Sequence, residues 1–300
     1  MSLLLILIKR NIKLFFKDKG MFFTSLITPA ILLFLYVTFL GNVYKNSIIA
    51  NLPQNISLST KLIDGLVGGQ LVSSLLAVSC VTISFCSNFL MVQDKANGII
   101  KDLKISSVKT STLSISYFFA SFISTLIISF VALICCFIYL FVIGWYLSVI
   151  DVLLLMLDVI ILVLFGTAVS SIINYFLSTQ GQISAIGTIV SAGYGFICGA
   201  YMPISSFSTG LQKIIGFLPG TYGMVLMRNH CMNGVLEKME SQGVPLEVIS
   251  NMKKSFDCNF YFFNNQVNFS TMYIILVVAI IAFSSIYIGL NIFKSKTKKD

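Results

Sequence analysis

Residues 21–41 read MFFTSLITPAILLFLYVTFLG and contain no charged side chain. A transmembrane helix needs about 20 mostly apolar residues to cross roughly 30 Å of hydrocarbon, so this stretch predicts a membrane span. Pro29 predicts a kink within it, which neighbouring helices can accommodate. The same criterion selects six segments, near residues 21–42, 64–92, 113–142, 149–173, 181–202 and 271–293.

The composition of the whole chain agrees with a membrane protein. Of its 300 residues, 57% are hydrophobic and 10% are charged, whereas an ordinary globular domain has about 25% charged residues. A water-soluble core cannot hide so much apolar surface, which argues against a soluble enzyme, a disordered protein or a nucleic-acid binder. We therefore predict an all-α polytopic membrane protein with six transmembrane helices.

Lysine and arginine cluster in three regions that fall on one side of a six-span protein. They precede the first span, occupy the loop 93–112 and end the chain in the tail 294–300. Cytoplasmic loops carry an excess of basic residues, so both termini and this loop are predicted to be cytoplasmic. That topology explains the net charge of +9 better than a nucleic-acid partner does.

Residues 1–20 are predicted to form an amphipathic helix in the cytoplasmic headgroup plane. An apolar stripe beside a basic stripe at helical spacing is typical of an interfacial helix. A positively charged topology anchor is the alternative, and one helix can serve both purposes. The apolar stripe is Leu4, Leu5, Ile8, Ile12, Phe15 and Phe16, and the basic stripe is Lys9, Lys13 and Lys17.

The loop 93–112 reads QDKANGIIKDLKISSVKTST. Its apolar residues, Ile99, Ile100, Leu103 and Ile105, lie among charges and predict a short amphipathic helix that docks onto a protein or a membrane surface. The chain has no GxxxxGK[ST] motif and no Gly–Lys pair, so it lacks the usual phosphate-binding loop. Any nucleotide chemistry would have to come from a partner.

At this loop the chain resembles the membrane subunit of ABC exporters of the ABC-2 permease class. That family carries an acidic–basic–x–x–Gly–Thr stretch after its second span, followed by Leu and then Pro. The matching residues here are Asp94, Lys95, Gly98 and Leu103, with Ile99 in place of Thr and Ser107 in place of Pro.

A second motif of the same family begins at Gly199 and reads GAYMPISSFSTGLQKIIGFLPGTYGMVLMRN. The family typically has Gly, a Pro-Leu-Ser stretch, Leu-Gln, Leu-Pro, Thr-Tyr and a closing Arg. Ser208 stands where a second Pro is usual. The residues in register are Gly199, Pro203, Ser205, Leu211, Gln212, Leu218, Pro219, Thr221, Tyr222 and Arg228.

The resemblance implies a division of labour between chains in a cell membrane, most typically a bacterial plasma membrane. Two permease copies, or this chain and a homologous permease, would enclose the pathway. Separate ABC ATPase subunits would dock below and bind ATP and Mg²⁺, while this chain itself would hold no cofactor. The residues implied in ATPase coupling are Asp94, Lys95, Gly98, Ile99 and Leu103.

The resemblance also implies that residues 203–230 form a re-entrant pair of short helices in the outer leaflet. Two prolines interrupt helical structure there, and the segment is too apolar for a solvated loop. An interfacial loop lying flat is the alternative. The residues expected to form an outward gate are Pro203, Phe207, Leu211, Ile215, Leu218 and Pro219.

Asp158 lies deep in the otherwise apolar fourth span. A carboxylate at a helix centre costs about 2.5–3.5 kcal/mol on insertion scales, so it should face protein or a water-filled cavity. Two roles stay open: a polar lining or relay group, and an interhelical hydrogen bond to Ser, Thr or Tyr. The single histidine, His230, is expected to be exposed, and one histidine excludes a histidine-rich metal site.

Residues 231–270 are more polar and predict a small external subdomain before the sixth span at 271–293. Two short helices are expected in it, the second of them opened by Pro245. Cys231 and Cys258 both fall in this stretch and are the only pair positioned for a disulfide.

The expected function is that of a permease subunit of an ATP-driven ABC exporter, which is not itself an enzyme. Its cargo would be apolar or amphipathic, such as a drug, an antimicrobial peptide, a lipid or a glycan precursor. An ion-coupled secondary transporter or channel is the alternative, but a single deep Asp and the lack of an internal repeat argue against it. An integral membrane enzyme would need clustered catalytic side chains, which the spans do not offer.

Overall fold

The structure, a computed structural model, describes residues 2–51, 58–106, 108–263 and 265–296. These residues form helices apart from loops and one small hairpin. The N-terminal half contains α1 (Leu3–Lys17), α2 (Lys19–Leu35), a π-helical segment (Tyr36–Leu40), α3 (Gly41–Asn51), α4 (Thr60–Ala96), α5 (Ile99–Ile105) and α6 (Thr110–Ile143). The remainder contains α7 (Val149–Phe176), α8 (Gln180–Ile197), a 3₁₀ turn (Ile204–Ser206), α9 (Thr209–Gly216), α10 (Pro219–Ser241), α11 (Leu246–Ser255), β1 (Tyr261–Phe262), β2 (Asn265–Gln266) and α12 (Phe269–Lys296).

Five helices in the described part of the chain are long and apolar enough to cross a membrane. They are the continuous helix Lys19–Ile49, α4, α6, α7 and the first 25 residues of α12. The chain is therefore a multi-pass, all-α membrane protein. The segment predicted as the fifth span, α8, is not among the five, because two glutamines and four glycines lower its mean hydropathy.

The first span does not end at its proline. The helix continues through Pro29 and changes to π-helical geometry seven residues later, at Tyr36. The Tyr36 hydroxyl donates a hydrogen bond to the Val67 carbonyl at 3.0 Å, and its ring stacks on Tyr44. These contacts hold the widened turn against α4.

The centre of the bundle is α4. Its apolar stretch of 18 residues is 94% buried. Helices α2, α6, α7, α8 and α10 all pack against it. Small residues along α4 let these neighbours approach closely, as is usual where helices meet within a membrane. Gly69 is required for this, because a Cβ there would lie 2.8 Å from the Cys231 carbonyl oxygen of α10.

The amphipathic helix α1 packs against α6 through Leu7, Asn11 and Phe15. This face is rotated relative to the predicted apolar stripe, of which Leu5 remains 51% exposed. One apolar side of α1 is thus bound to protein, and a second is left for lipid.

The C-terminal region differs from the predicted division into segments. The boundary expected between residues 230 and 231 falls inside α10, which packs against α4, α7 and α12 without interruption. The second predicted short helix is present as α11 and follows Pro245. Of the predicted basic tail, residues 297–300 lie outside the described part, and so does Ser107.

Candidate functional site

Asp94, at the end of α4, is turned into the protein and is only 2% exposed. Its Oδ2 accepts hydrogen bonds from Arg10 Nη1 of α1 at 2.7 Å and from the Tyr117 hydroxyl of α6 at 2.5 Å. Burial opposes the charge of Arg10, but the adjacent carboxylate more than compensates and raises the pKa of the Arg10 guanidinium. Asp94 is therefore buried and connects three helices, α1, α4 and α6.

Lys95 is also engaged inside the chain. Its Nζ donates to the carbonyl oxygens of Asn174 at 3.0 Å, Tyr175 at 2.7 Å and Leu177 at 3.0 Å. These carbonyls lie at the C-terminal end of α7, where a helix carries unsatisfied acceptors and partial negative charge. Lys95 thus caps α7 from the end of α4 and connects the two helix ends.

The turn after Lys95 brings α5 to the surface. Gly98 has a left-handed backbone (φ +80°), a conformation that glycine adopts without strain. Ile99 and Leu103 are half-buried, and Leu103 packs against the core of the bundle. Ile105 is 82% exposed at the end of the helix. Of the residues predicted to couple to an ATPase, Asp94 is buried, whereas Lys95, Gly98, Ile99 and Leu103 are partly exposed at or beside this turn.

A lateral groove of about 840 Å³ lies between α2, α4 and α8. Its α2 wall is apolar and includes Ile27, Ile31 and Leu35. Its α8 wall carries hydroxyl groups at one-turn spacing. The lining residues of the α8 wall include Ser184, Thr188 and Ser191.

The predicted gate segment is only partly buried. Of its apolar side chains, Ile215 is 2% exposed, whereas Leu211 and Leu218 are 40% and 37% exposed and Phe207 is half-buried. The expected seal through all four is therefore not formed within one chain. Pro203 precedes the 3₁₀ turn, and Pro219 begins α10 in the first-turn position that tolerates proline.

The first turn of α10 lies against the middle of α7 and the C-terminal end of α8. A Cβ at Gly220 would lie 2.6 Å from the Tyr194 hydroxyl of α8 and 3.2 Å from Phe165 of α7. Hydrogen bonds connect α9 to this turn, from Thr221 Oγ1 to the Ile215 carbonyl at 3.1 Å and from the Tyr222 hydroxyl to the Gly216 carbonyl at 2.7 Å. The α9–α10 corner is thus inserted between helices.

Arg228 of α10 is completely buried and binds the segments that follow α8 and α11. Its Nη1 lies 3.3 Å from Asp257 Oδ2, and its Nη2 donates to the Gly199 carbonyl at 2.8 Å. Asp257 Oδ2 also accepts from the Ile204 amide at 2.6 Å. Burial raises the pKa of the Asp257 carboxyl, while the Arg228 charge and the Ile204 amide oppose that rise. The family motif contains Arg228, but nothing in the sequence pointed to Asp257 as its partner.

The deep carboxylate Asp158 has two partners on different helices. Its Oδ2 lies 2.6 Å from His230 Nδ1 of α10, and its Oδ1 accepts from the Tyr273 hydroxyl of α12 at 2.6 Å. The prediction that His230 is exposed was wrong, because this residue is 9% exposed. Of the two roles left open for Asp158, the interhelical hydrogen bond to a tyrosine is present, with a histidine added.

Cys231 and Cys258 do not form the predicted disulfide. Both are buried free thiols, and Cys258 Sγ lies 3.8 Å from Met232 Sδ. Cys231 lies on the side of α10 that contacts Gly69 of α4, and Cys258 follows α11. Within the described ranges, no three His, Cys, Asp or Glu residues are grouped so that they could hold a metal ion.

Comparison with known proteins assigns this architecture to one family. A family model described as ABC-2 type transporter matches residues 2–230. The match includes α1, the groove, the α4–α5 turn and the α9–α10 corner, and residues 231–300 lie beyond it. A comparison with curated proteins finds no match.

Proposed function

The chain belongs to the ABC-2 type transporter family, and from this premise we propose that it is the membrane-spanning subunit of an ATP-driven exporter. As an ABC transporter permease it is a transport component and not a catalytic domain. The lateral groove between α2, α4 and α8 carries the proposal, because it is large, mainly apolar and open to the side of a single chain. An apolar or amphipathic cargo suits such a surface.

Two copies, or this chain and a homologous permease, enclose the pathway by placing their grooves face to face. Large apolar side chains stand exposed beside the groove on both helices. Phe34 of α2 is 67% exposed and Ile189 of α8 is 65% exposed. In this arrangement α8 is the fifth of six spans, and its hydroxyl groups face the enclosed path instead of lipid. Both termini lie in the cytoplasm, and the membrane is the cell membrane.

Coupling to a separate ABC ATPase, which supplies ATP and Mg²⁺ binding, takes place at α5. Its exposed Ile105 is the anchor for the ATPase. Movement of α5 passes to α4 at Gly98 and from there along two routes. The Asp94–Arg10 pair moves α1, and the Lys95 cap moves the end of α7.

The α9–α10 corner serves as the outward gate in this proposal. Its insertion against Phe165 and Tyr194 supports a re-entrant segment that enters the outer leaflet. Ile215 anchors the corner to its own chain, and the exposed Leu211 and Leu218 are left to close against the second copy. Pro203 and Phe207 lie at the entry to the segment.

The docking step is tested by Ile105→Glu in permease purified with its cognate ATPase subunit. A charge in an apolar contact is costly, so we expect the complex to weaken and ATP-dependent transport in vesicles to fall by about tenfold or more. Lys13→Gln, on the exposed face of α1, is the matched control and should leave both unchanged.

Two results would contradict the proposal. If Ile105→Glu permease holds the ATPase and transports at the normal rate, α5 is not the coupling element. If the unaltered complex accumulates no apolar or amphipathic probe when ATP is added, the exporter assignment itself fails.

A further inference from the structure

The charge of the groove points to one class of cargo. Among the described residues that line it, Asp18 at the start of α2 is the only acidic side chain, and none is a lysine or an arginine. This is unexpected from composition, because the chain has 20 Lys and Arg but only 11 Asp and Glu. The neighbours of Asp18 in the sequence, Lys17 and Lys19, are exposed and do not line the groove.

One oxygen of the Asp18 carboxylate remains available. Asp18 Oδ1 accepts the Met21 amide at 3.0 Å and so caps the N-terminus of α2. Within the described part of the chain, Oδ2 takes part in no hydrogen bond or ion pair. The capping role thus explains one oxygen and leaves a negatively charged acceptor at the end of the groove.

The groups around Asp18 change from polar to apolar along the groove. Gln93 and Thr24 line the same end, and the ring of Phe89 follows one helical turn beyond Gln93. A carboxylate suits an ammonium group because opposite charges attract, and an aromatic ring in the same groove lining can add a cation–π contribution. From Asp18 to Leu35 the apolar wall rises about 26 Å, at about 1.5 Å per residue.

We propose that the groove binds a cationic amphiphile. Its ammonium head lies at Asp18, and its apolar tail lies along Ile27, Ile31 and Leu35. An anionic amphiphile meets the Asp18 charge and finds no cation in the lining, so the groove disfavours it. That such a ligand is also exported rests on the proposed function, but its binding does not.

The test is equilibrium binding to the purified permease in lipid nanodiscs, without the ATPase. Three fluorescent probes share one alkyl chain and carry a trimethylammonium, a tert-butyl or a sulfate head. The first two heads have nearly the same shape and differ in charge. We expect the ammonium probe to bind about five- to tenfold more tightly than the tert-butyl probe, as for a partly exposed charge pair, and the sulfate probe to bind least.

Asp18→Asn removes the charge and keeps a good N-cap side chain, so the helix start should be preserved. We expect this variant to lose the preference for ammonium over tert-butyl while it binds the tert-butyl probe as before. Glu247→Gln, on exposed α11, removes a negative charge far from the groove and should keep the preference. The melting temperature of each variant checks that the fold is intact.

Equal binding of the ammonium and tert-butyl probes to the unaltered protein would overturn the proposal. An Asp18→Asn variant with its preference intact would also overturn it, as would a groove that a second copy fills and that binds no probe. Selective binding without ATP-driven export would leave the cation site standing and count against the proposed function alone.

Discussion

Asp158 is a carboxylate deep in a membrane span, and His230 of α10 and Tyr273 of α12 hold its two oxygens. The burial of Asp158 followed from its apolar surroundings, because a carboxylate in a span must face protein or water. Its partner His230 lies 72 residues away. It is the last residue of the predicted re-entrant segment, directly before the stretch that was expected to be polar and external. The sequence showed that Asp158 needed a partner but held no signal for which residue that was. Asp257, the partner of Arg228, was missed for the same reason.

The hydrogen bond from the Tyr273 hydroxyl to Asp158 is predicted to stabilise the fold. Tyr273→Phe removes one donor and leaves a buried carboxylate oxygen unpaired, so we expect a loss of about 1–2 kcal/mol in the free energy of unfolding. Reversible unfolding of the purified chain in mixed micelles measures it. Tyr261→Phe, at a tyrosine that is 44% exposed, should change stability little. Equal stabilities of the two variants would show that the Tyr273 contact contributes nothing.

Among the elements, those with a strong local signal were predicted best. The amphipathic α1 and the helix after Pro245 follow from the apolar and basic stripes and from the proline. The first short helix expected in residues 231–270 is present, but as the second half of α10. Its burial was not predicted, because CMNGVLEKMES reads as a polar stretch and is buried only where other helices pack against α10. Likewise, the inward direction of Asp94 and Lys95 depends on α1 and α7, which the local loop sequence does not contain.

Substitution of Lys95 tests whether movement of α5 is passed to α7. Lys95→Met keeps much of the side-chain length but removes the donor to the α7 carbonyls, so movement of α5 should no longer reach α7. We expect the variant to bind the ATPase and hydrolyse ATP while vesicle transport falls at least fivefold, about 1 kcal/mol in coupling. Lys109→Met, at an exposed lysine before α6, should retain transport. Transport by Lys95→Met at the normal rate would exclude this route.

The bundle is organised around the buried central helix α4 and has one open side, between α2 and α8. Hydropathy predicted the bundle, because long apolar segments have few alternatives in a membrane. It did not predict the groove, since α8 carries glutamines, glycines and hydroxyl groups that a hydropathy profile reads only as a weaker span. The open side between α2 and α8 offers room for a ligand or a second copy, and in the proposed function it is the feature that connects the fold to transport.

If the groove is the transport path, blocking it covalently should stop export. Thr188→Cys is introduced in a background with Cys86→Ser and Cys135→Ser, because Cys86 lines the groove and Cys135 is the one exposed native cysteine in the described chain. Labelling with a bulky maleimide should abolish ATP-driven export in vesicles while ATPase binding persists. A matched label at Ile134→Cys, which is 57% exposed on α6, should leave export unchanged. Full export by permease whose Thr188→Cys is demonstrably labelled would show that the groove is not the transport path.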